Sequence, residues 1–142
     1  MKKFAVMGAV ALAFVSGQAA AVCSETAGWK KMNATGSGGS LALSTLGGKT
    51  VCVGAAPTWD AQEFHSGTTG SDLIDYKRGP GHPVDPTDKV GTWSIVGNQI
   101  NYNYGPAANY TYDVYEKNGA YSFCVGASEK AAATIRTGQV GC

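Results

Sequence analysis

The chain has 142 residues, 20 of them glycine and four cysteine, and 11 Lys and Arg against 10 Asp and Glu give a formal net charge of +1. A near-neutral chain without a basic stripe or charge run is a poor match for nucleic acid or an anionic membrane surface. The length suits one ordinary domain with a modest core.

The N-terminus predicts export. Lys2 and Lys3 form a positive segment, residues 4–15 are uncharged and apolar, and residues 16–21 are mostly small, the layout of a secretory signal peptide. The apolar run falls short of the ~20 residues a membrane-spanning helix needs. Cleavage is therefore expected after Ala21, with Ala19 completing an A-x-A site, and it leaves residues 22–142 as a single β domain. Losing Lys2 and Lys3 takes the net charge from +1 to −1. Val22 precedes Cys23, where a lipid-modified cysteine normally follows a smaller residue, so a lipoprotein is not expected.

Residues 22–48 read as a loosely structured segment, with a short helical turn over 26–32 and a flexible Gly/Ser-rich loop over 33–40. Strand patterns then follow at 49–53, 60–65, 72–77, 90–96, 99–104, 110–116, 120–125 and 133–137. Gly97-Asn98 and Asn118-Gly119 are two-residue hairpin signals between alternating segments. Short strands at hairpin spacing, with no long amphipathic helix, predict an all-β fold: an antiparallel meander closing into a small barrel or half-barrel, or alternatively a two-sheet sandwich.

All four cysteines lie in residues 22–142 and none forms a C-x-x-C pair, so two disulfides in an oxidising compartment are expected. Val51-Cys52-Val53 and Phe123-Cys124-Val125 both read as apolar strands with cysteine at the alternate position. That matched alternation favours Cys52 with Cys124, which leaves Cys23 for Cys142.

The clearest alternation runs from residue 93 to 125. Trp93 and Ile95, then Ile100, Tyr102 and Tyr104, then Tyr110, Tyr112 and Val114, then Tyr121, Phe123 and Val125 place one aromatic and aliphatic face on four successive strands. Such a face is a core with tyrosine hydroxyls at its rim, or else a ligand cavity or sugar-stacking surface. Trp93 is expected to be buried beneath the Pro/Gly-rich loop that precedes its strand, with Trp59 on a less patterned segment. That loop, residues 75–86, carries three prolines and two glycines and reads as rigid.

Thr50-Val51-Cys52, Asp75-Tyr76-Lys77, Gly79-Pro80, Val84-Asp85-Pro86, Val90-Gly91-Thr92-Trp93-Ser94 and Tyr121-Ser122-Phe123-Cys124 together resemble a group of small, uncharacterised exported proteobacterial proteins. The resemblance spans most of residues 22–142 and implies export but no particular activity. In that pattern the cysteines matching Cys52 and Cys124 recur together. Gly91-Thr92-Trp93 is also similar to the G-x-W of lipocalin-like barrels, although there it stands near the N-terminus.

Catalytic signals are sparse. His65 and His82, with Asp75 or Asp85, would make a metal or acid/base set only if the loop folded back, and no H-E-x-x-H or G-x-S-x-G spacing is present. Gly36-Ser37-Gly38-Gly39 lacks the Gly-Lys-Ser/Thr ending of a phosphate loop. The expectation is a secreted or periplasmic, non-catalytic binding module without cofactor or metal. Its ligand, a small molecule, glycan or protein, would contact Tyr102, Tyr104, Tyr110 and Tyr112 of the aromatic face, with Tyr76 and His82 at the loop. A cell-surface assembly subunit and a small metal-dependent hydrolase are the alternatives.

Overall fold

A computed structural model describes residues 22–77, 81, 83, 85 and 87–142. The proposed signal segment, residues 1–21, and His82 lie outside the described residues. The described residues form nine strands: β1 (Lys30–Lys31), β2 (Lys49–Val53), β3 (Ala61–His65), β4 (Gly70–Lys77), β5 (Asp88–Val96), β6 (Gln99–Asn103), β7 (Asn109–Lys117), β8 (Ala120–Val125) and β9 (Ser128–Thr137).

Each strand from β2 to β9 pairs antiparallel with the next, and β9 returns to β2 with Lys49 opposite Thr137 and Val53 opposite Ala133. The meander is therefore a closed eight-stranded barrel, neither half-barrel nor sandwich. β1 extends the sheet by pairing with β7 at Glu116 and Tyr115, past the point where β6 ends. Hairpin chemistry fixes the register. Asn118 and Gly119 both hold positive φ, as a two-residue type I′ turn requires, and Gly97 supplies the positive φ between β5 and β6. β9 begins five residues before the alternating stretch 133–137, because Ser128–Ala132 owes its strand geometry to pairing with β8 rather than to its own propensity.

Alternation sends apolar side chains inward and polar ones outward. Met32, Leu43, Leu46, Val51, Leu73, Trp93, Ile100, Tyr102, Val114, Phe123 and Ala133 form one buried cluster. Trp93 is buried as expected, at 2% exposed, but not beneath the loop that precedes its strand: its indole N–H donates to the Ser66 carbonyl at 2.8 Å in the β3–β4 turn, at the end of the barrel away from the β4–β5 connection. Trp59 is only half-buried.

Residues 22–48 are more ordered than their composition suggests. A 3-10 turn over Leu43–Leu46 precedes β2, and Met32, Leu43 and Leu46 are at most 1% exposed. The Ala34 amide donates to Asn98 in the β5–β6 turn, so this segment crosses one end of the barrel. Gly47 seals that end against the β3–β4 turn, where an added Cβ would lie 2.4 Å from the Gly67 carbonyl oxygen. Three apolar residues spaced irregularly over fifteen positions make a plug that no helical or strand period reveals. The expected helical turn over 26–32 is instead a turn closed by the Trp29 amide on the Thr26 carbonyl, leading into β1.

The disulfide pairing corrects the one expected from alternation. Cys23 bonds Cys124 and Cys52 bonds Cys142, each with Cα atoms 5.9 Å apart. Cys52 and Cys124 do share the outer face, but β9 stands between their strands. Two strand spacings are about 9 to 10 Å, beyond the ~7 Å that a disulfide bridges. Each barrel cysteine instead takes a partner from a chain terminus. Cys23 and Cys124 pack with Tyr115, Trp29 and Val22 on the outer wall. On the other side, residues 138–142 cover β2 and β3: Thr50 donates to the Gly138 carbonyl and the Cys142 amide donates to Gln62 Oε1. This strap accounts for the burial of Thr50 and Gln62, polar residues that point away from the barrel interior.

Candidate ligand cavity

The end opposite the plug is not filled. A cavity of about 630 Å³ runs into the barrel there, lined by Val51, Val53, Ala61, Glu63, Val90, four tyrosines, Phe123 and Ala131, among others. Its mouth lies where the β2–β3, β4–β5, β6–β7 and β8–β9 connections gather, and Tyr110 on its rim is 48% exposed. Lys77 at the end of β4 and Asp88 at the start of β5 lie at this end, and residues 78–80, 82, 84 and 86 of the expected loop lie outside the described residues.

Tyr102 on β6 and Tyr104 just after it face Tyr110 and Tyr112 on β7 because Tyr102 is opposite Tyr110 in register and all four positions point inward. Neighbouring ring centroids are 6.0 to 6.4 Å apart: Tyr102 with Tyr104 and Tyr112, Tyr104 with Tyr110, and Tyr110 with Tyr112. Phe123 closes the array at 6.2 Å from Tyr102 and 6.1 Å from Tyr112. Gly91 on β5 makes room for it. A Cβ there would lie 2.4 Å from the Asn103 carbonyl oxygen and 3.2 Å from the Tyr104 ring.

Two polar pairs stand inside this apolar wall. The Tyr104 hydroxyl donates to both carboxylate oxygens of Glu63, at 2.9 and 2.8 Å. Burial, reinforced by the Glu63 charge and by this hydrogen bond, pushes the Tyr104 phenol far above its ordinary value. Deeper, His65 is completely buried and packs edge-on against Trp93 and Tyr102, at 5.1 and 5.4 Å between centroids. Its Nδ1 lies 3.3 Å from the Glu63 carbonyl oxygen, which only accepts, so the proton is assigned to Nδ1. Nε2 then accepts from the Tyr102 hydroxyl at 2.8 Å. Desolvation lowers the His65 pKa from 6.5 to about 4 against the opposing Glu63 carbonyl, so the ring is neutral near pH 7.

Of the residues expected to contact a ligand, Tyr102, Tyr104, Tyr110 and Tyr112 thus meet on one cavity wall. The side chain of Tyr76, like His82, lies outside the described residues. Glu63 was not among the expected contacts. In Ala61-Gln62-Glu63-Phe64-His65 the aromatic Phe64 suggests the inward face, yet Phe64 points outward opposite Ile74 and Thr50, while Ala61 and Glu63 line the interior. Only the closed register reveals this. Among the described residues no three of His, Cys, Asp and Glu gather as a metal site, and no helix is long and apolar enough to cross a membrane.

Fold and cavity together define a closed antiparallel barrel, plugged at one end and open at the other onto a tyrosine-lined interior. Comparison with known proteins finds no matching family model, curated protein or solved structure.

Proposed function

We propose that the domain is an exported, non-catalytic binding module that holds a small, largely apolar molecule inside the barrel. The observation that carries this reading is the aromatic cavity of about 630 Å³ open at one end, within the ~300 to 1,000 Å³ range of ligand pockets. A barrel built only for stability fills its interior with side chains. Here the β6–β7 hairpin instead gives four tyrosines to a wall with space in front of it.

Two disulfides that tie both termini to the barrel are compatible with an oxidising, exported location. His65 supports the non-catalytic reading, because its two nitrogens are engaged by Glu63 and Tyr102 and burial keeps it uncharged. Among the described residues, closure of the sheet leaves only β1 and strand ends as edges, a poor basis for assembly by strand addition.

The test is a fluorescence titration with N-phenyl-1-naphthylamine, an uncharged aromatic probe whose emission rises in apolar surroundings. The wild-type protein should bind it saturably and one to one. Ala131→Trp, which puts an indole into the cavity from β9, should fold normally by circular dichroism and lose that binding. Equal binding by the variant would place the probe elsewhere and refute the cavity reading.

A further inference from the structure

Beyond the binding reading and independent of it, we infer that Tyr102 is a redox-active tyrosine: a one-electron oxidant of the free-radical class at the barrel mouth draws an electron from it, while its phenol proton passes to His65.

The hydrogen bond that the step needs is already in place. The Tyr102 hydroxyl donates to His65 Nε2 at 2.8 Å, and because the Nδ1 proton goes to the Glu63 carbonyl oxygen, Nε2 carries the lone pair. Removing an electron from a phenol turns its O–H into a strong acid. Here that proton meets a base: the Tyr102 O–H bond breaks, an N–H bond forms at Nε2, and the electron goes to the oxidant. The products are a neutral tyrosyl radical, an imidazolium and the oxidant reduced by one electron. Burial lowers the imidazole pKa from 6.5 to about 4, so the imidazolium readily returns its proton when an electron comes back.

The neighbouring rings lack this combination. Trp93 packs edge-on against His65 at 5.1 Å between centroids, but its N–H ends on the Ser66 carbonyl oxygen, too weak a base to take the proton. Phe123 has no hydroxyl to oxidise. Tyr104 also has a hydrogen-bonded base, Glu63, but is only partly buried, whereas Tyr102 is 5% exposed. A radical on Tyr102 is therefore kept from water and from other protein molecules, and persists. The electron has a short path to it. Tyr110, on the rim, lies 6.1 Å from Tyr112, which is 6.0 Å from Tyr102. Through Tyr104 the two separations are 6.1 and 6.4 Å. These are ordinary contact distances for packed rings, close enough for an electron to pass from ring to ring, so the oxidant has no need to enter the barrel.

The experiment photogenerates tris(bipyridine)ruthenium(III) in solution, with a cobalt(III) ammine as sacrificial acceptor, and freezes the protein for electron paramagnetic resonance. Wild type should yield a tyrosyl radical that outlives the one formed on free tyrosine and shows coupling to an isotope-labelled histidine nitrogen. Tyr102→Phe should lose the persistent signal. His65→Gln, whose amide oxygen accepts from Tyr102 but takes no proton, should lose it too. If these variants fail to fold by circular dichroism, the histidine coupling in wild type decides. No persistent tyrosyl radical in wild type, one without histidine coupling, or one retained in folded Tyr102→Phe or His65→Gln would overturn the assignment. None of these results bears on the cavity reading, which the N-phenyl-1-naphthylamine titration tests separately.

Discussion

Acid should destabilise this domain through a single buried ring. His65 has a folded-state pKa of about 4 against an unfolded value of 6.5. The unfolded chain binds this proton more readily, so the stability linked to His65 is fully present above pH 6.5 and is lost as pH falls toward 4. At about 1.36 kcal/mol per pH unit, the displacement from 6.5 to about 4 amounts to about 3 kcal/mol. About 2 kcal/mol of this should already be gone at pH 5. That is a large share of the ~5 to 15 kcal/mol that stabilises an ordinary domain. The structural cause is specific: protonating Nε2 removes the acceptor of the Tyr102 hydroxyl and places a charge against Trp93. The assay is urea denaturation at pH 7.5, 6, 5 and 4.5 with disulfides intact, comparing wild type with His65→Gln, whose amide oxygen can take the Tyr102 proton. Carboxylates contribute equally to both proteins, so the difference isolates the imidazole. The variant should be less stable at pH 7.5 and converge toward wild type as pH falls. Parallel pH profiles would refute the reasoning and show that His65 is not buried neutral.

Other consequences are checked more simply. Trp93→Ala should cost about 3 to 5 kcal/mol in chemical denaturation, while Trp59→Ala, at a half-buried turn position with φ 33°, should cost far less; equal midpoints would contradict the core placement of Trp93. Non-reducing peptide mapping should find Cys23 linked to Cys124 and Cys52 linked to Cys142, and a Cys52–Cys124 peptide would contradict the barrel order. Cys142→Ser opens a bridge spanning 90 residues and should lower stability by up to about 4 to 5 kcal/mol in the chain-entropy model, with a midpoint unchanged from wild type as the contrary result. Gly91→Ala should weaken the domain and disturb cavity binding together, because its Cβ would collide with the Asn103 carbonyl beneath Tyr104.

The barrel strands were legible because their signals are local. Alternation over 93–125 and the turns at Gly97-Asn98 and Asn118-Gly119 specify face and pairing within a few residues, and the tyrosine wall follows from the same alternation. What escaped depends on contacts between distant segments. The cysteine alternation identified a shared outer face, but the order β2-β9-β8 that keeps Cys52 from Cys124 exists only once the sheet closes. The plug residues Met32, Leu43 and Leu46 follow no period, since their role is set by the barrel end they cover. Glu63 was hidden by Phe64, whose apolar side chain packs on the outside. The same alternation could not say whether the aromatic face is filled or lines a space, because that depends on the diameter of the closed barrel.

Intermolecular nuclear Overhauser effects report whether the tyrosine wall bounds an open ligand cavity. With N-phenyl-1-naphthylamine bound to protein carrying labelled aromatic side chains, cross-peaks should appear from the probe to the rings of Tyr104, Tyr112 and Phe123. Cross-peaks confined to outer-wall residues such as Trp29 or Tyr115, with the cavity rings silent, would contradict it.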